Sequence, residues 1–228
     1  MELKIQDLAK NFGGIRALKG ISITLSGNEL VGLIGPNGSG KTTLVNIIGG
    51  IYKPDKGQIF FNGADIAGLK PNKVTKHGIG RTFQVTRAFR RMTVRENLLV
   101  PGMAHDPQRG REAWEERGRE VLEFLMMDHL RNDYARNLSG GQQKLLELGQ
   151  VLMTDPSLIM LDEPFAGVHP KLMETIFDYI TTLHSGGKAF IIVSHDMDSI
   201  FTLSERLIVL SDGDIIADGD PETVKHDE

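Results

Sequence analysis

A glycine-rich segment that joins an apolar run to a helical pattern constrains the fold of this chain more than any other feature. Residues 35–42 read Gly-Pro-Asn-Gly-Ser-Gly-Lys-Thr, between the apolar run Leu30–Ile34 and a stretch with apolar residues at helical spacing. Because glycine has no Cβ, successive backbone N–H groups can turn inward and surround phosphate oxygens, and the helix N-terminus adds positive potential. The segment therefore predicts a strand–loop–helix unit that binds a nucleoside triphosphate.

Two side chains of this loop suit the same chemistry. Lys41 supplies a positive charge for the β- and γ-phosphates, and the Thr42 hydroxyl can ligate Mg²⁺. An ordinary glycine turn with an exposed lysine is the alternative, but the strand before the loop and the helix after it favour the phosphate-binding interpretation. The expected nucleotide contacts are Gly35, Pro36, Asn37, Gly38, Ser39, Gly40, Lys41, Thr42 and Thr43.

An acidic pair follows a second apolar run. Residues 158–161 read Leu-Ile-Met-Leu and lead directly into Asp162 and Glu163. The carboxyl ends of parallel strands line one crevice, so these carboxylates are expected to face the glycine-rich loop. Asp162 would hold Mg²⁺, directly or through water, and Glu163 could polarise an attacking water molecule as a general base.

Strand and helix periodicities alternate along the chain. Strands are predicted at residues 21–25, 30–34, 58–62, 79–83, 158–161, 190–193, 206–210 and 214–217, the last two joined by an Asp212-Gly213 turn. A helix after Lys41 would have one apolar face formed by Leu44, Ile47, Ile48 and Ile51. A helix beginning at Pro170 would turn inward Leu172, Ile176, Ile180 and Leu183. This alternation predicts an α/β fold with a mostly parallel sheet and helices on both faces.

The middle of the chain lacks the strand pattern. Between residues 85 and 146 no buried strand is predicted, whereas Trp114, Val121 and Leu122 follow helical spacing. We therefore expect one domain over residues 1–228, with a helical lobe at about 85–146 inserted into an α/β core of residues 1–84 and 147–228.

Composition excludes several kinds of site and partner. The chain has 228 residues, no cysteine and a net charge of −4, so disulfides are impossible and nucleic-acid binding through a basic field is disfavoured. No apolar run approaches the roughly 18 residues of a membrane span, and residues 1–5 do not begin a secretory signal. We expect a cytosolic chain that reaches a membrane through a partner.

The segment Leu138-Ser139-Gly140-Gly141-Gln142 carries a family resemblance. With the loop at 35–42 and the Asp162-Glu163 pair, it resembles the ATP-binding cassette (ABC) ATPases over essentially the whole chain. The resemblance implies a P-loop NTPase core of mainly parallel sheet flanked by helices, an antiparallel β subdomain and an inserted α-helical lobe. It also implies that the signature residues meet the γ-phosphate bound by a second cassette, so that two ATP molecules lie between two chains. These residues are Ser139, Gly140, Gly141 and Gln142.

Residues outside these three motifs can also be compared with the family pattern. Gln84 resembles the family's Q-loop glutamine, a contact of Mg²⁺ and water that also senses the membrane partner, although a surface polar residue is the alternative. His195 resembles the switch histidine that contacts the γ-phosphate. Phe12 resembles the aromatic residue that stacks on adenine, with a core phenylalanine as the rival interpretation. His169 departs from the family pattern, which usually has aspartate here, and this leaves the coupling of the two ATP sites open.

The region around Gln84 resembles one subgroup of the family. Residues 81–84 (Arg-Thr-Phe-Gln) and 89–100 strongly resemble ATPase subunits of high-affinity branched-chain amino-acid importers, and urea/amide importers share much of this pattern. The resemblance implies ATP hydrolysis at the cytoplasmic face of the membrane. It implies as partners integral-membrane permeases, a second cassette (the same chain or a sister subunit) and, indirectly, a substrate-binding protein.

A basic and apolar cluster follows Gln84 directly. Its members are Arg87, Phe89, Arg90, Arg91, Met92 and Val94. A solvated basic face is the ordinary interpretation of such a cluster. Its position after the Q-loop favours instead a groove for cytoplasmic helices of the permeases.

Two other function classes are weaker. A cassette acting on DNA or ribosomes usually carries a second cassette, a long coiled coil or basic arms, and this sequence shows none of them. A catalytically silent nucleotide-binding scaffold is disfavoured because the expected catalytic residues are all present, namely Lys41, Gln84, Asp162, Glu163 and His195.

Overall fold

The computed structural model describes residues 1–83 and 88–226, which form ten strands, eight α-helices and three short 3₁₀ helices. The strands are β1 (Glu2–Phe12), β2 (Ile15–Ser26), β3 (Leu30–Ile34), β4 (Lys56–Phe61), β5 (Ala64–Asp65), β6 (Ile79–Arg81), β7 (Leu158–Asp162), β8 (Ala189–Val193), β9 (Arg206–Ser211) and β10 (Asp214–Gly219). The helices are α1 (Lys41–Ile48), α2 (Pro71–Lys76), α3 (Val94–His105), α4 (Arg111–Phe124), α5 (Gly140–Leu152), α6 (Pro170–Ser185), α7 (Met197–Leu203) and α8 (Pro221–His226).

A six-stranded sheet with the order β10-β9-β3-β8-β7-β6 forms the centre of the fold. Strands β9, β3, β8, β7 and β6 are mutually parallel, and β10 pairs antiparallel with β9. The predicted hairpin is confirmed: Ser211 faces Asp214 across a turn in which Asp212 and Gly213 have φ of 48° and 82°. Positive φ at both turn residues matches the twist of the two strands.

The two faces of this sheet enter two different cores. In β3, Leu30 and Ile34 join a cluster with apolar residues of α3 to α7, whereas Val31 and Leu33 join a cluster with α1 and the second sheet. Because successive side chains of a strand point to opposite faces, an entirely apolar strand is buried on both. The predicted α/β fold is therefore confirmed, with helices on both faces of a mainly parallel sheet.

A four-stranded antiparallel sheet with the order β2-β1-β4-β5 covers α1. The apolar alternation at residues 21–25 predicted only the second half of β2, and no strand was predicted for residues 2–12. Register shifts interrupt the pairing of β1 with β2, and Asp7 has a φ of 49°. Such bulges break the two-residue period on which the prediction depends.

Helices dominate the middle of the chain, as the sequence pattern predicted. Trp114 and Val121 of α4 are buried, and the Trp114 indole N–H donates to the Asp106 carbonyl at 3.0 Å. The lobe limits at 85 and 146 stay predictions, since residues 84–87 lie outside the described part and α5 continues through 146.

Two helix predictions are confirmed and one residue is corrected. Helix α6 begins at Pro170 and buries Ile176 and Ile180. Helix α1 ends at Ile48, however, so Ile51 does not share its apolar face and is 38% exposed. The chain leaves the helix at Gly49, before the periodic pattern ends.

Candidate nucleotide site

The glycine-rich loop passes between strands with no room for side chains at two positions. Gly35 has a φ of 140°, and a Cβ there would lie 2.0 Å from the Leu210 carbonyl oxygen. Gly40 has a φ of 109°, and its Cβ would lie 2.6 Å from the Ala17 carbonyl oxygen. Both positions thus require glycine for backbone conformation and for space.

Lys41 turns back across this loop. Its Nζ donates to the Gly35 carbonyl at 2.7 Å and to the Pro36 carbonyl at 2.9 Å, and the residue is 8% exposed. Burial lowers the pKa of Lys41, while the carboxylates of Glu163 and Asp162 act in the opposite direction. Lys41 also begins α1, whose N-terminus has no side-chain cap, so first-turn N–H groups are available to an anion.

A cavity of about 230 Å³ unites the loop with the acidic pair. Its walls are formed by Asn37, Gly38, Ser39, Gly40, Lys41, Thr42, Thr43, Asp162, Glu163 and Val193. The structure therefore brings together the loop residues and both carboxylates singled out from the sequence. Gly35 and Pro36 contact the site through the carbonyls that accept from Lys41.

Asp162 is buried against an arginine that the sequence analysis did not single out as functional. Its Oδ2 lies 3.1 Å from Arg81 Nη2, and Arg81 Nη1 donates to Asn46 Oδ1 of α1 at 2.7 Å. Burial raises the pKa of Asp162, and the Arg81 charge opposes that rise. The available signal was a cation at the carboxyl end of β6, the neighbour of β7.

Glu163 has a strained backbone with a φ of 55°. Left-handed backbone at a residue other than glycine costs on the order of 1–3 kcal/mol and persists only where neighbours hold it. Its N–H donates to the Val193 carbonyl at 2.8 Å, and its carbonyl accepts from Lys144 Nζ at 2.8 Å. Lys144 is a further residue that the sequence analysis missed.

The Glu163 carboxylate and His195 are adjacent. His195 Nδ1 lies 2.9 Å from Glu163 Oε2, and the imidazole is 72% exposed while the carboxylate side chain is 10% exposed. Oε2 is buried and has no hydrogen-bond partner in the described part of the chain, so the short contact to the imidazole lacks hydrogen-bond alignment. Glu163 and His195 are thus held side by side next to the cavity that Glu163 lines, within reach of a group bound there.

The other predicted residues that the structure describes do not line this cavity. Ser139 caps α5 through a reciprocal capping box with Gln142, and Gly140 is exposed. A Cβ at Gly141 would lie 2.0 Å from Leu172 Cδ2 of α6. Phe12 is 42% exposed and meets Tyr52 edge-on at 5.2 Å between ring centroids. Gln84 lies outside the described residues.

The donor set of the cavity fits Mg²⁺. The Thr42 hydroxyl and the Asp162 carboxylate are oxygen ligands, and Mg²⁺ is usually held by one or two carboxylates together with water and substrate phosphates. Within residues 1–83 and 88–226, no group of three histidine or acidic side chains is placed to hold a metal alone. The residues present thus suit a magnesium ion bound together with a nucleotide.

Comparison with known proteins identifies relatives along nearly the whole chain. A probable branched-chain amino acid transport ATP-binding protein LivG of Methanocaldococcus jannaschii is 40% identical over 95% of this chain and 89% of its own length. The lipopolysaccharide export system ATP-binding protein LptB of Haemophilus influenzae is 37% identical over 99% of this chain and 93% of its own.

Solved structures agree with these relatives. The ADP conformation of the ATP-binding cassette MJ1267 of an ABC transporter has a TM-score of 0.89 at 39% identity and covers 99% of this chain and 94% of its own. A dimeric structure of the bacterial ABC transporter cassette MJ0796 has a TM-score of 0.87 at 29% identity and covers 96% of this chain and 98% of its own.

The family model for ABC transporters matches residues 18–166, a segment that contains the glycine-rich loop, the signature residues and the acidic pair. Among the described residues no helix has both the length and the apolar character that crossing a membrane requires. The chain belongs to the ABC transporter family, and it is an ATP-hydrolysing nucleotide-binding subunit of that family.

Proposed function

We propose that this chain hydrolyses ATP to power an importer of branched-chain amino acids from the cytoplasmic face of the membrane. The observation that carries the substrate class is the 40% identity to an archaeal LivG protein over nearly all of both chains. The segments 81–84 and 89–100 support the same subgroup. Lipopolysaccharide export is a second candidate because the LptB relative is 37% identical, and a urea/amide importer is the closest alternative from the sequence pattern.

The lining of the cavity supports a role in hydrolysis for the glycine-rich loop, Lys41 and Glu163. Loop N–H groups and Lys41 hold the phosphates, and Glu163 accepts a proton from the water that attacks the γ-phosphorus. The bond to ADP breaks, and inorganic phosphate leaves. His195 lies against the Glu163 carboxylate with most of its ring exposed, so it can reach a γ-phosphate while still contacting the base. Thr42, Gln84 and Asp162 would hold Mg²⁺, which neutralises phosphate charge when bound.

A second cassette completes this proposal. Ser139 and Gly140 are exposed at the beginning of α5 and do not line the chain's own cavity, so they can meet a nucleotide on another copy or on a sister chain. A related cassette has been solved as a dimer. Phe12 is only partly covered by Tyr52 and so offers ring surface to adenine.

A groove beside the site suits the permease subunits. The groove, here called the docking groove, has a volume of about 280 Å³, and its walls include Phe83, Phe89, Val100, Pro101, Glu147 and Gln150. Phe89 is 47% exposed there, and Arg90 and Arg91 follow it. An exposed aromatic residue beside arginines is typical of an interface anchor. We propose that a cytoplasmic helix of a permease occupies this groove.

Transport by cells tests the substrate. In cells whose chromosomal copy carries Glu163→Gln, we expect uptake of labelled leucine to be lost while uptake of labelled urea continues, because only the leucine system would lack hydrolysis. Loss of urea uptake alone would indicate that the chain serves a urea/amide importer, and loss of surface lipopolysaccharide would favour a role in lipopolysaccharide export. Unchanged transport together with absence of the chain from isolated membranes would contradict the transport proposal.

A further inference from the structure

Helix α5 carries a row of polar side chains through an otherwise apolar environment. Lys144, Glu147 and Gln150 are three residues apart and so lie along one side of the helix. Glu147 is 5% exposed, and the other two are half-buried. Their apolar neighbours in the core are Leu145, Leu146, Leu148 and Val151. Buried polar groups are costly unless they are bonded, so the partners of this row matter.

The first member of the row holds the loop of the catalytic glutamate. Lys144 Nζ donates to the Glu163 carbonyl at 2.8 Å and to the Pro164 carbonyl at 3.2 Å. Glu163 needs such support because its backbone is left-handed. Burial lowers the pKa of Lys144, and the nearby carboxylates of Glu147 and Glu163 oppose this, so the ammonium is set among opposite charges.

The other two members hold segments of the docking groove. Glu147 Oε1 accepts from the Phe83 N–H at 2.8 Å, immediately before Gln84. Gln150 Nε2 donates to the carbonyl and side-chain oxygens of Asn97, each at 3.3 Å.

Asn97 extends the contact from Gln150 to the loop that carries Phe89. It is fully buried, accepts from the Phe89 N–H at 2.7 Å and donates to the Phe89 carbonyl at 3.1 Å. The polar row thereby reaches Phe89 through a single side chain.

Two cavities meet at this row. The docking groove and a smaller cavity that contains Lys144 and Glu163 share Phe83 and Glu147 in their walls. We propose that the polar row Lys144–Glu147–Gln150 makes α5 one positioning element, which sets the Glu163 backbone and ties it to the conformation of the docking groove. This inference depends on the proposed roles of Glu163 and of the groove. A purely structural role, the satisfaction of buried polar groups, is the alternative that experiment must exclude.

Kinetics of the purified chain test the link to Glu163. We expect Lys144→Met to lower kcat for ATP hydrolysis by about 10- to 100-fold with KM unchanged, because it displaces the base without touching the phosphate loop. Lys144→Arg should recover most of the rate, since guanidinium can donate to both carbonyls. The control is Lys188→Met, which removes another partly buried lysine, one that pairs with Asp155 away from the site. If the loss of rate in Lys144→Met is explained by its drop in Tm, and Lys144→Arg does not recover the rate, the lysine has a structural role only.

A probe in the docking groove tests the second link. Because the chain has no cysteine, Phe89→Cys can carry a single environment-sensitive fluorophore in a Glu163→Gln background that retains ATP. We expect ATP to change its emission, and Gln150→Leu to abolish most of that change while calorimetric ATP affinity stays the same. An equal response in Gln150→Leu, or no response in the parent, would overturn the proposal. Neither assay uses a transported substrate, so both results can be interpreted even if the importer assignment fails. Full turnover by Glu163→Gln, which would contradict the proposed role of Glu163 as the base, is measured in a separate assay.

Discussion

Glu163→Gln should lower the rate of ATP hydrolysis by about 10²- to 10⁴-fold and leave ATP binding intact. A general base contributes that range, and an amide at this position keeps the size of the side chain but cannot take a proton from water. The change should not affect the phosphate contacts proposed for Lys41 and the loop, which line the same cavity through other side chains and backbone groups. Single-turnover hydrolysis with excess enzyme, compared with calorimetric titration of ATP, separates the chemical step from binding.

Stability supplies a second expectation for the same variant. Glu163 Oε2 is buried without a hydrogen-bond partner among the described residues, so one oxygen of the native carboxylate is desolvated without compensation by a hydrogen bond. Removal of its charge should therefore leave Tm unchanged or raise it, as expected where an active site sacrifices stability for function. Glu163→Ala is the matched comparison, since it removes the carboxylate and its packing together. Full turnover by the glutamine variant would exclude Glu163 as the base.

The buried strands and the helix starts were the predictable part of this fold. Apolar runs such as Leu30–Ile34 can be buried only between two layers, and Pro170 fits only the first turn of a helix. Strand β1 escaped prediction because its burial pattern is broken by bulges and by the left-handed Asp7. Local periodicity fails wherever the backbone itself changes register.

The candidate site likewise has residues that the sequence predicts and residues that it does not. That the glycine-rich loop and the acidic pair line one cavity was predictable, because the loop is a run of consecutive residues after one buried strand and Asp162 and Glu163 end another. Arg81 meets Asp162 only because β6 and β7 are neighbours, and Lys144 meets Glu163 only because α5 packs under the β7–α6 loop. Such contacts join residues distant in sequence, so no local pattern contains them.

Lys41→Ala should raise the dissociation constant for ATP by about 10- to 100-fold, since hydrogen bonds to charged groups contribute about 1.5–3 kcal/mol. The ammonium lies among the Gly35 and Pro36 carbonyls inside the cavity that Asp162 and Glu163 also line, so it can transfer to phosphate oxygens without leaving the site. Calorimetric titration with ATP measures the loss.

The Lys41→Arg variant and thermal unfolding measurements separate two roles of this lysine, which are contact with the phosphates and ordering of the loop. Alanine removes both the charge and the two bonds that close the loop on itself, so part of any lost affinity would come from a loop that is less well ordered before binding. Arginine keeps the charge but is bulkier in a residue only 8% exposed, so it should recover affinity less than fully. If ATP binding is unchanged in Lys41→Ala, the loop does not bind the phosphates through this side chain. If affinity falls only in proportion to a drop in Tm, the lysine orders the loop and contributes no phosphate contact of its own.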